Sequence, residues 1–169
     1  MAPGKPMATP SLREPTGPWN VAMIDEVYNK RILALAADIP RLHRLDAPDA
    51  TAIAHSRLCG SKVTVDIKME GDRVSDFGHE VKACALGQAS SSIMARHVVG
   101  STAQELIELR DQMHRMLKEN GPAPTGKWSE LEVLAPVRDF KARHASTLLT
   151  FDAVKDAVEQ VQARQKIPA

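Results

Sequence analysis

Cysteine is scarce in this sequence, with two residues among 169. Two thiols cannot make a disulfide framework, and Cys59 and Cys84 stand too far apart for a zinc-finger pair. An excess of one charge is missing too, since 22 Lys and Arg face 21 Asp and Glu for a net charge of +1. That balance, with the basic residues dispersed, gives no general attraction to nucleic acid or to an anionic membrane. No apolar run approaches the length of a membrane span, so no membrane partner is expected. No signal-type segment is present either, which points to a reducing compartment, the cytoplasm, where thiols stay free. No glycine-rich phosphate loop follows a strand, no G-x-S-x-G nucleophile elbow occurs, and there are no internal repeats. No acid–base pair or activated nucleophile emerges, so the chain does not read as an enzyme.

What is present has the composition of an ordinary soluble domain, 43% hydrophobic and 25% charged. Residues 1–19 carry five prolines without periodic apolar spacing and read as a disordered lead, leaving one domain over 20–165. Val21–Ile39 has helical spacing, with Pro40 as its stop. Ala50–Arg57 is a plausible first strand. "KVTVDIKM" (Lys62–Met69) alternates strictly and predicts a strand buried on one face only. The turn "EGD" and the return "RVSDFGHEV" complete a hairpin. From Cys84 the pattern turns helical and runs to Gly100. Thr102 and Glu105 then form a capping signature for an amphipathic helix. A short helix is expected from Ser129 to near Pro136, and a long amphipathic one over Ala142–Arg164. The layout is α+β: a small three-stranded antiparallel sheet packed against four to five helices.

The two cysteines sit in different settings. Cys84, in "KACALGQASSS", stands where strand gives way to helix, and a helix N-terminus favours a thiolate over a thiol. Cys59 precedes Gly60 at the entry to the hairpin, where glycine permits a tight turn. Two thiolates at one end of a sheet suit a metal or a sulfur species, but zinc and iron–sulfur clusters normally take four ligands. The plainer alternative is that each is a small buried hydrophobe. His43, His55, His97 and His114 read as surface or satisfied histidines, and His79, sharing a face with Phe77 and Val81, as sheet packing.

The order of these features resembles the iron–sulfur cluster assembly scaffolds of the IscU/NifU N-terminal type, over about Tyr28 to Val158. The resemblance rests on Cys59-Gly60 before the alternating strand, on "ACALGQASSS", and on "LEVLAPVRDFKARHASTLL" (Leu131–Leu149). It implies a scaffold site of three cysteines and an aspartate. Here Ser61 stands where the aspartate is expected and Ser146 where the third cysteine is, with Ala145 in the alternative register. Cys59 and Cys84 are thus the expected metal ligands, His144 is a candidate third, and Ser146 marks the lost one. "LAPVR" (Leu134–Arg138) is a loose look-alike of the family's chaperone-binding motif, and a helix-ending proline explains it equally well.

The resemblance further implies an iron–sulfur cluster, foremost [2Fe–2S], or iron as cargo, with zinc ranked below. Its implied partners are a cysteine desulfurase and iron–sulfur client proteins, with a homodimer sharing one cluster as a way to reach four thiolates. The alternative is an interaction module that docks on a desulfurase or client without binding metal.

Overall fold

In the computed structural model the described residues are 28–166. The proline-rich lead at 1–19 and the first part of the expected helix Val21–Ile39 lie outside them. Within them, helix α1 spans Lys30–Ala37, ending short of Pro40, and Asn29 caps it by accepting from the Ile32 N–H at 2.9 Å.

Three strands follow, β1 (Ala50–His55), β2 (Lys62–Glu70) and β3 (Arg73–Lys82), in an antiparallel sheet of order β1-β2-β3. β1 ends at His55 rather than Arg57, because Ser56–Gly60 turns the chain back into β2. Gly60 takes φ +72° in that turn, a conformation open to glycine and costly for most other residues.

One face of the sheet carries Ala52, Val63, Val65, Ile67, Phe77 and His79, all buried. It packs against helix α4 (Lys141–Gln165), which crosses β1 and β2, and against α2 (Ala85–His97). Each fully buried Ile, Leu or Phe in this core contributes about 1.5–3 kcal/mol over exposure. His79 fills its expected packing role, fully buried with its ring 5.0 Å from that of Phe77.

The expectation of a half-buried β2 fails on the other face, where Thr64 and Asp66 are buried as well. The segment between α1 and β1 closes over the middle of that face. There the Asp66 carboxylate accepts from Arg44 at 2.5 and 3.1 Å, from the Leu45 N–H at 3.0 Å and from the Thr51 hydroxyl at 2.5 Å. Gly78, opposite Asp66, lets the His43 carbonyl approach where a side chain would collide. Periodicity reads a strand's own residues and is silent about a loop folding back over it.

Helix α3 (Ala103–Lys118) begins at Thr102, whose hydroxyl accepts from the Glu105 N–H at 3.1 Å. Glu105 does not return the bond to the cap. Its carboxylate accepts from the Trp128 indole at 3.1 Å and pairs with Lys127 at 2.9 Å, tying down the loop after α3.

The short helix expected at Ser129–Pro136 is instead a longer 3-10 stretch over Gly126–Asp139, with Pro136 inside it rather than at its end. Trp128, Leu131, Leu134 and Val137 recur every three residues and are all buried, which suits three residues per turn. The mostly amphipathic pattern expected of α4 does not hold in its first turns. Ser146 through Phe151 are buried in succession because α4 lies between the sheet and the other helices.

Candidate functional site

Lys62 opens β2, Lys82 closes β3, and the two are direct partners in the ladder. Cys59 lies three residues before Lys62 and Cys84 two after Lys82, so both cysteines flank the same end of the sheet. The hairpin register alone brings them to one end, as their positions in sequence predict.

Their surroundings differ. Cys59 is exposed at the tip of the β1–β2 loop, its Sγ 3.0 Å from the Ser61 hydroxyl and 3.4 Å from that of Ser56. Those hydroxyls, Ser56 foremost, hold the Cys59 thiol below its ordinary pKa, because each can turn and donate to a thiolate. Ser56 was not foreseen. Its signal is the spacing: three residues before the cysteine, in a loop tight enough that the Gly60 N–H donates to the Ser56 carbonyl at 2.9 Å.

Cys84 is the N-cap residue of α2 and is half-buried. Its Sγ lies 3.4 Å from the Ser146 hydroxyl, which also donates to the Arg143 carbonyl at 3.2 Å. Ser146 is buried in the second turn of α4 and Ala145 is exposed, so Ser146 is the residue that meets Cys84. Gly87 makes this approach close: a Cβ there would lie 2.6 Å from the Ala83 Cβ and 2.9 Å from the Ser146 carbonyl oxygen. Glycine three residues after the cysteine is the sequence signal for that contact.

His144 is buried in the first turn of α4. Its Nε2 faces the Val137 and Arg138 carbonyls at 3.0 and 3.1 Å. Both are acceptors only, so Nε2 carries the proton and Nδ1 alone retains a lone pair for a metal. Ser61, in the position expected of an aspartate, is buried and offers a hydroxyl to Cys59.

Among the described residues no group of three or more His, Cys, Asp or Glu is assembled to hold a metal ion. The residues present therefore do not make a four-ligand zinc site within one chain. What they make is a pair of thiols bordered by hydroxyls. A serine oxygen is a poor donor to soft iron or zinc, since it must lose a proton far less acidic than a thiol's. Among the described residues, too, no helix is long and apolar enough to cross a membrane.

Comparisons with known proteins agree with this fold. Residues 27–167 match the NifU-like N terminal domain. A solved NifU-like protein (N-terminal) from Brucella abortus is 61% identical, superimposes with a TM-score of 0.83, and is covered over 99% of its length by 84% of this chain. The iron-sulfur cluster assembly scaffold protein IscU of Thermotoga maritima is 26% identical over 80% of this chain and 94% of its own length. The zinc-dependent sulfurtransferase SufU of Bacillus subtilis is 24% identical over 59% of this chain and 68% of its own. By the match over residues 27–167 the chain belongs to the IscU/NifU-type scaffold family, as a NifU-like N-terminal domain.

Proposed function

We propose that this chain is an iron–sulfur cluster assembly protein that holds its cargo as a half-site. Cys59 and Cys84 supply two thiolates, and a second molecule supplies the rest. The observation that carries this reading is the combination of two cysteines at one end of the sheet with no third His, Cys, Asp or Glu grouped beside them for a metal. A [2Fe–2S] cluster takes four ligands, so one chain can satisfy half of that need. A second copy, a cysteine desulfurase or a client protein can each bring the missing thiols. Hydroxyls from Ser56 and Ser61 would hydrogen-bond the Cys59 sulfur, which stabilises its thiolate without competing for iron. A half-set of ligands also favours release to an acceptor that offers more thiols. Anaerobic incubation with iron, sulfide and a small thiol should give visible sulfur-to-iron absorption that disappears in Cys59→Ser and in Cys84→Ser. Absorption unchanged in either variant contradicts the half-site.

A second reading is favoured by one observation: the Cys84 sulfur is half-buried and already partnered by Ser146. On that reading the chain docks on a desulfurase or client and modulates assembly without binding metal, and the cysteines pack. Replacing both by Ala would then leave capture of a purified desulfurase intact, and loss of capture removes this reading.

A further inference from the structure

The cysteine end of the sheet also carries a row of exposed basic side chains that have no ion-pair partner among the described residues. His55 of β1, Lys62 of β2 and Lys82 of β3 are direct cross-strand partners, so their side chains leave one face of the sheet at its cysteine end. It is the face turned away from Val63 and Val65, and hence from α4. All three are exposed, as is Arg57 in the adjoining loop. Among the described residues no ion pair or hydrogen bond engages the side chains of His55, Arg57, Lys62 or Lys82.

Two other cations near this face are matched. Arg44 is neutralised by Asp66 and Arg41 meets Asp76. Glu80, one step in from Lys82 on the same face, acts on Arg44. Beside the row stand two apolar side chains open to solvent, Ile53 at 57% and Leu58 at 89% exposure. Like charges directly opposite on a sheet oppose folding, and a net charge of +1 makes this a local feature rather than a property of the whole surface.

We propose that this face docks a partner protein through an acidic segment carrying apolar side chains, its carboxylates on Lys62, Lys82 and Arg57 and its apolar groups on Ile53 and Leu58. The surface rests on the half-site reading in one respect: the partner seated there is the molecule that brings thiols to Cys59 and Cys84. A second copy fits less well, since a two-fold contact through this face sets each basic row against its own like.

The test uses the full chain and a fluorescent peptide of about ten residues, mostly Glu with interspersed Leu, with a Lys–Leu peptide as its counterpart. The acidic peptide should bind, weaken with added salt, and bind at least about tenfold more weakly to Lys62→Glu/Lys82→Glu. It should bind unchanged to Arg115→Glu/Lys118→Glu on α3. Equal binding of the reversed variant, or of the basic peptide, overturns the proposal. So does shielding of Lys62 and Lys82 from acetylation in the free chain, which would make residues 1–27 or a second copy the occupant. Peptide binding should survive Cys59→Ser and Cys84→Ser, so a failure of docking and a failure of cluster binding are read separately.

Discussion

Asp66 and the thiol pair belong to the same hairpin, yet their polar atoms are treated in opposite ways. The Asp66 side chain is fully buried, and its two oxygens accept from a guanidinium, a backbone N–H and a hydroxyl. At the cysteine end the side chains that meet the sulfurs are hydroxyls, Cys59 stands in solvent, and the flanking cations have no partner among the described residues. A saturated buried polar group fixes the fold and offers nothing to a ligand. An unsaturated exposed one contributes little to the fold and leaves its chemistry available.

The largest effect is expected where saturation is removed. Asp66→Ala leaves the Leu45 N–H without its acceptor and Arg44 without its carboxylate, costing about 2–3 kcal/mol in urea unfolding. Cys59→Ser should change stability by less than about 0.5 kcal/mol. Equal losses in the two variants would erase the distinction between the sites.

Gly87→Ala comes next. Its methyl group must displace Ala83 or the α4 backbone at Ser146, at a cost of about 1–3 kcal/mol. The Ser146 hydroxyl moves off Cys84 in consequence, so Cys84 should alkylate faster. Unchanged stability and reactivity would mean that the close contact does not set the site.

A smaller effect is expected with pH, in two stages. Burial foremost, against a bond to the Pro40 carbonyl, holds the folded His79 below its ordinary 6.5. The unfolded chain then binds a proton that the folded one refuses, so stability is full above about pH 6.5 and falls as pH drops through the folded value. Burial pushes Asp66 and Asp152 up, but their bonds to Arg44 and Thr51, and to His114 and Arg110, outweigh it and leave both below the usual 3.8. Their contribution is present above about pH 4 and is lost as pH falls further. Unfolding midpoints measured from pH 8 to 3 should show both stages, and Asp66→Asn should weaken the second. The smallest effect is at Cys59: Ser56→Ala or Ser61→Ala should slow its alkylation at neutral pH about two- to fivefold. An unchanged rate would mean that the hydroxyls do not set its reactivity.

Much of the fold was legible because the signals were local. The alternation of Val63, Val65 and Ile67, the Thr102 cap and the switch at Cys84 each predict an element that is present. The misses are tertiary. Nothing in the residues of β2 announces that Arg44 and Leu45 fold over Asp66, and nothing in those of α4 says that neighbours surround its first turns. The stretch 126–139 carries a period of three, easily taken for a shorter α-helix. At the site, hairpin order alone places both cysteines at one end, whereas the Cys84–Ser146 contact depends on a helix crossing at Gly87.

The central claim is that one chain carries half of a ligand set. Its most direct test is iron and acid-labile sulfide per chain after anaerobic reconstitution, with products separated by size and with or without an added small thiol. The account predicts that the bare monomer without added thiol retains no cluster, and that iron and sulfide appear together only on species holding a second thiol donor. A full [2Fe–2S] complement on the monomer, with no thiol but its own two, would contradict it.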